Sequence, residues 1–187
     1  MESNRIVATV IDALDQLAIP YMLAGSYSSN YFGVARSTGD ADFVIQLSNQ
    51  SISRLLPLLG SGFTLDPQMS FETVTGTYRY IITHAKSTFK VELFLLSGDA
   101  HDLSRFARRR PAPFLDRTTY LPSPEDVVIT KLRWSKGGSR TKDADDVRGV
   151  LAVQHGHLDL DYVRHWCDQH ATRDLFESLL RSALPGA

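Results

Sequence analysis

Ala24-Gly25-Ser26 and, after a short spacer, Arg36-Ser37-Thr38-Gly39-Asp40-Ala41-Asp42-Phe43-Val44-Ile45 decide how this chain is read. The Gly-Ser pair closes an apolar strand, Tyr21 to Ala24, and opens a helix over Ser26 to Tyr31. Asp40 and Asp42, separated by one residue, open the next strand, whose apolar run is Phe43 to Leu47. Alternate strand residues share a face, so both carboxylates aim at one point. Paired carboxylates beside a glycine turn at a helix start suit magnesium and a polyphosphate. Alone, each part has a plainer reading, with Asp40 capping a turn and Gly25-Ser26 making one.

Outward from that stretch the elements alternate. Ile6, Val7, Val10, Ile11, Leu14 and Leu17 recur at helical spacing and predict an amphipathic helix that Pro20 stops. Ile52, Leu55, Leu56 and Leu59 predict another over Ser51 to Leu59, ended by Gly60. Phe71 to Thr75, Tyr78 to His84 and Thr88 to Leu96 read as strands. Turn signals at Gly76-Thr77 and Ala85-Lys86-Ser87 join them into a meander. In the last strand Val91, Leu93 and Leu95 share one face, and Lys90, Glu92 and Phe94 the other. Glu92 is a lone acid in an apolar pattern; buried, it needs a metal or the nearby Lys90 to offset its charge. The plainer alternative is an edge-strand acid paired with a lysine.

From Ser123 onward the pattern turns helical. Ser123-Pro124-Glu125-Asp126 supplies a capping hydroxyl, a first-turn proline and two acids at the positive dipole end. That helix is expected to reach Trp134, with a break at Gly137-Gly138-Ser139. Further helices are expected over Asp143 to Val153, from Leu158 through His165, and over Arg173 to Leu184. The chain therefore reads as mixed α/β over 1–121 and helical over 122–187.

The chain's 187 residues and 43% hydrophobic content suffice for a real core. The net charge of -1 hides an asymmetry, because half of the 20 Lys and Arg residues lie between Arg105 and Lys142. Three acids, Asp116, Glu125 and Asp126, stand against them, leaving either a solvated basic face or one turned toward phosphate. Arg108-Arg109-Arg110, followed by Pro111 and Pro113, reads as an exposed charged loop, with an RNA or acidic partner as the alternative. His155-Gly156-His157 reads as a turn between helices. Cys167 alone makes no internal disulfide and suits a reducing cytoplasm. No apolar run approaches the roughly 20 residues of a membrane span, so a soluble, cytoplasmic protein is expected.

The order Gly25-Ser26, then Arg36-Ser37-Thr38-Gly39-Asp40-Ala41-Asp42, then Val91-Glu92-Leu93 resembles the nucleotidyltransferase superfamily of DNA polymerase β-like and minimal nucleotidyltransferases. The resemblance implies an α/β (α+β) nucleotidyltransferase fold: a mixed twisted sheet flanked by helices, with a helical C-terminal part. It implies a transferase moving a nucleoside monophosphate from a nucleoside triphosphate to an acceptor hydroxyl. Asp40, Asp42 and Glu92 would be the catalytic and metal-binding acids for two Mg2+ ions, with Mn2+ as the alternative. Gly25, Ser26, Arg36 and Thr38 would face the nucleotide. The third acid of the family pattern is more often Asp, and Glu92 reaches further.

The second half, Ser123 to Leu132 and Arg140 to Val147, looks like the AbiEii-type branch, which contains toxin components of bacterial toxin–antitoxin pairs. That likeness implies that Lys131 reaches the nucleotide and that Asp143 and Asp146 close the site. It implies RNA, such as a transfer RNA end, as acceptor, and a cognate antitoxin protein as partner. Lys131 shares a helix face with Val127 and Trp134, so its amine must snorkel toward an anion. Helix capping is the plainer reading of Asp143. A small aminoglycoside-like acceptor remains open, with Asp143, Asp145 and Asp146 as spare acids for a polycation; so does a non-catalytic nucleotide- or partner-binding module.

Overall fold

The computed structural model describes residues 2–136 and 141–183. Two compact units emerge: Met1–Ala24 with Thr38–Leu121, and Gly25–Ser37 with Pro122–Ala187. The segment holding Gly25 and Ser26 thus packs with the C-terminal helices.

The first unit is built on a six-stranded mixed sheet. Its strands are β1 (Tyr21–Leu23), β2 (Asp40–Ile45), β3 (Phe63–Leu65), β4 (Ser70–Glu72), β5 (Thr77–His84) and β6 (Ser87–Leu95). They run in the order β1-β2-β6-β5-β3, with β4 also pairing β5. β2 and β6 are parallel, and every other pairing is antiparallel. Helix α1 (Glu2–Gln16) packs on β6 with an apolar stripe of Ile6, Val7, Val10, Ile11 and Leu14, all buried. Ala41, Phe43, Ile45, Val91 and Leu93 are buried along β2 and β6. On the opposite face Phe106 of helix α4 (Ala100–Ala107) packs with Met22, Ala24 and Val44, and Phe94 and Leu96 border the cluster.

Several elements differ from the sequence expectation. The helix expected over Ser51 to Leu59 is a 3-10 turn, Ile52–Arg54, followed by the one-turn α3 (Leu56–Leu59). Pro57 lies in the first turn of α3 and has no N–H to give a helix continuing from Ser51. The strand expected over Phe71 to Thr75 ends at Glu72, whose carboxylate accepts from the Val74 and Thr75 N–H groups and pulls the chain into its turn.

The basic run at Arg108 is a two-residue connection, Arg108 and Arg109, that leads straight into a strand. Arg108 caps α4, and Arg110 begins the two-stranded ribbon of β7 (Arg110–Phe114) and β8 (Arg117–Leu121). The ribbon turns through Leu115 at φ 53°, a left-handed conformation usually taken by Gly or Asn, so the usual hairpin signal is missing from the sequence. α4 announces itself only through Asp99, whose carboxylate accepts from the His101 and Asp102 N–H groups at 3.1 Å.

The second unit is helical: α2 (Gly25–Phe32), α5 (Pro124–Ser135), α6 (Thr141–Val153), α7 (Leu160–His170) and α8 (Arg173–Ala183). Its core joins Val127, Val128, Leu132, Val147, Val150, Val163, Cys167, Phe176 and Leu179, with Phe32 of α2 packed against it. Ser123 caps α5 as the sequence predicts, accepting from the Asp126 N–H. The Asp126 carboxylate is held by the Ser123 hydroxyl at 2.9 Å and by the Tyr162 hydroxyl of α7 at 2.8 Å. α2 and α6 approach closely at Gly33, where a Cβ would lie 2.8 Å from the Val150 backbone nitrogen. α7 runs on to His170, past the expected His165. The expected break at Gly137-Gly138-Ser139 lies outside the described residues, as does Leu184. Among the described residues no helix is long and apolar enough to cross a membrane.

Candidate active site

The strand register assembles the carboxylates of the first unit. In the parallel ladder Asp40 stands opposite Lys90, and Asp42 opposite Glu92. Paired residues of a ladder project from the same side. Asp40, Asp42, Lys90 and Glu92 therefore occupy one face, while Ala41, Phe43, Val91 and Leu93 fill the other and are buried. The alternation puts a hydrocarbon core behind the strands and leaves the half-buried acids in front of them. Asp40 accepts a hydrogen bond from the Thr38 hydroxyl at 2.8 Å, which orients its carboxylate.

Glu92 has a partner that the sequence reading missed. Arg79 Nη1 of β5 donates to Glu92 Oε2 at 2.6 Å, with the two side chains 32% and 15% exposed. Arg79 stands opposite Phe94 in the β5–β6 register, and its guanidinium carbon lies 5.7 Å from the Phe94 ring centroid. Of the two expected counter-charges, a metal or Lys90, the side chain that pairs with Glu92 is neither: it is Arg79. The only sequence signal is a charge inside the alternating Thr77-Tyr78-Arg79-Tyr80-Ile81.

Asp40 and Asp42 are hard oxygen donors on one strand face and fit a divalent cation. Glu92 fits by register, although its carboxylate is engaged by Arg79. Among the described residues no cluster of three or more His, Cys, Asp and Glu side chains is arranged to hold a metal ion.

Within the second unit Arg36, Lys131, Asp143 and Asp146 form a buried ion network. Lys131 Nζ donates to Asp143 Oδ1 at 2.9 Å and pairs with Asp146 Oδ2 at 2.8 Å. Arg36 grips both Asp146 oxygens, through Nε at 2.6 Å and Nη2 at 2.8 Å. The same Nη2 donates to the Ser26 hydroxyl at 3.1 Å, and the Ser29 hydroxyl donates to Asp146 at 3.2 Å. Burial would push the Asp146 carboxyl up, but hydrogen bonds from Arg36 and Lys131, with their charges, hold it below the ordinary carboxylate range. Gly25 opens α2 at φ 57°, which glycine adopts without strain. Asn30 fixes the Arg36 backbone through reciprocal bonds of 2.7 and 3.0 Å.

The structure thus gathers the named residues into two groups, each inside one unit: Thr38, Asp40, Asp42 and Glu92, and Gly25, Ser26, Arg36, Lys131, Asp143 and Asp146. Asp143 and Asp146 are not spare acids. Their side chains are 1% and 2% exposed and their charges meet Lys131 and Arg36. Asp145 alone of that trio is exposed, and it pairs with Arg148 at 2.7 Å.

No protein-family model matches the sequence, and no curated protein matches it. Solved structures do. ANT(2'')-Ia, in complex with adenylyl-2''-tobramycin, matches at TM-score 0.63 and 12% identity over 93% of this chain and 99% of that one. An antigenic nucleotidyltransferase-like protein from Paracoccidioides brasiliensis matches at 0.58 and 19% over 96% and 92%. This is the nucleotidyltransferase fold. JHP933 from Helicobacter pylori shares the fold at TM-score 0.54 and 17% identity, over 97% of this chain and 78% of its own. The mixed sheet with flanking helices and the helical C-terminal part agree with the expectation of the sequence.

Proposed function

We propose that this chain is a magnesium-dependent nucleotidyltransferase. The observation that carries the reading is the in-register face of Asp40, Asp42 and Glu92, on a fold shared with ANT(2'')-Ia. The acceptor hydroxyl loses its proton to solvent as its oxygen bonds the α-phosphorus of a nucleoside triphosphate, the α–β anhydride bond breaks, and pyrophosphate leaves. Asp40 and Asp42 would hold Mg2+, with Glu92 as the third acid. When bound, the ion supplies charge neutralisation at the phosphates and lowers the pKa of the attacking hydroxyl. Within the second unit Gly25, Ser26 and Arg36 would take phosphate oxygens, with Lys131 alongside; within the first, Thr38 orients Asp40. Asp143 and Asp146 fix Lys131 and Arg36 in place.

RNA is the acceptor we favour, as in the toxin-like branch with its antitoxin partners. The exposed Arg108 and Arg110 at the base of the β7–β8 ribbon support it. The complex of ANT(2'')-Ia with an adenylylated tobramycin supports a small hydroxylated acceptor as the second reading. The loss of Asp143 and Asp146 as spare acids weakens that alternative.

Incubating the full chain with labelled nucleoside triphosphates, magnesium and either total RNA or an aminoglycoside panel separates the readings. Label moving to RNA supports the first, and label moving to a small acceptor supports the second. Label on neither, with triphosphate binding unchanged by Asp40→Asn plus Asp42→Asn, would sink the active-site assignment.

A further inference from the structure

Glu92 can be claimed from two sides. On one side stands Asp42, its register partner across the parallel β2–β6 ladder, at a strand spacing of about 4.8 Å. On the other stands Arg79 of β5, which already binds its Oε2 at 2.6 Å. Arg79 is steadied by the Phe94 ring beneath it, and the pair is shielded enough for solvent not to screen it away. A carboxylate oxygen that accepts a charge-assisted bond from a guanidinium has to weaken that bond before it ligates a cation.

We infer that Arg79 is a positioning residue that holds Glu92 away from the Asp40–Asp42 cation site. Asp40 and Asp42 would hold a divalent cation, and Glu92 would join them once its bond to Arg79 is released. The inference rests on the reading of Asp40 and Asp42 as metal-binding acids. It also gives the longer Glu92 side chain a use, since it can reach Arg79 on one strand and the cation on another.

The test is a Mn2+ titration of the full chain, followed by loss of the free-ion electron paramagnetic resonance signal. Arg79→Gln should bind Mn2+ about tenfold more tightly than the wild type, because it frees one charged ligand. Arg79→Gln combined with Glu92→Gln should return to within roughly threefold of the wild type, and Arg79→Lys, which keeps a cation beside Glu92, should also stay there. Lys90→Gln removes a positive charge from the same face without touching the pair, and should change affinity less than about threefold.

Unchanged affinity in Arg79→Gln overturns the inference. So does a double variant as tight as Arg79→Gln, or a Lys90→Gln gain equal to it. If Arg79→Gln does not fold, the double variant decides: affinity lost as in Asp42→Asn means that Glu92 ligates in spite of Arg79, and affinity kept supports the inference. Wild-type Mn2+ binding that Asp40→Asn and Asp42→Asn leave untouched fails the metal-site reading itself, a different result from all of these.

Discussion

The two charged groups differ in how their charges are met. On the sheet face, Asp40 and Asp42 stand half-exposed at the start of a strand, with Glu92 in register and paired to Arg79. In the helical unit Lys131, Asp143 and Asp146 are buried and pair with one another, with Arg36 bound to Asp146. An open set of like charges keeps capacity for a cation, whereas a closed set of opposite charges holds helices in register. The first is costly to the fold and useful to chemistry; the second has the reverse balance.

The sharpest way to break that contrast is to neutralise the open set. Asp40→Asn plus Asp42→Asn should lower nucleotidyl transfer on the order of 1,000-fold. Its thermal midpoint should stay close to the wild type, because two half-exposed like charges are removed. A variant that unfolds instead would make these acids structural.

Next comes the closed set. Lys131→Met leaves two buried carboxylates with one cation fewer and should cost about 3 kcal/mol in urea unfolding. A loss within experimental error would mean that the network contributes nothing to the second unit.

Acid sharpens the comparison further. The folded Asp146 carboxyl lies below its unfolded value of about 3.9. Its stabilisation is therefore complete above that value and is lost as pH falls through the lower folded pKa. Urea midpoints should drop below about pH 4, and Asp146→Asn, already less stable, should show a shallower drop. Equal slopes would remove Asp146 from the account.

The smallest effect belongs to Asp145, whose side chain is 69% exposed beside its buried neighbours. Asp145→Ala should stay within about 0.5 kcal/mol of the wild type in the same assay. A larger loss would show that exposure is a poor guide to these acids.

Much of this was legible in the sequence because it is local. Alternation along one strand puts Asp40 and Asp42 on one face, and helical spacing gives α1. Ser123 and Pro124 start α5 through their own hydroxyl and ring. The β7–β8 ribbon was not legible, because Leu115 takes a turn conformation that its side chain does not advertise. The interruption of the helix at Pro57 is written in the chain, but the helical Leu spacing runs straight through it.

By itself the sequence determined which residues can be strands and helices, and that two acids share a strand face, since both follow from a repeat of two or of 3.6 residues. Only the tertiary structure decided which strand lies beside which. The parallel β2–β6 ladder brings Glu92 opposite Asp42, and β5 brings Arg79 to Glu92. It also decided that Lys131 meets Asp143 and Asp146. Pairing across long stretches of chain depends on burying an apolar face without stranding a charge, and no local pattern states which distant partner satisfies that condition.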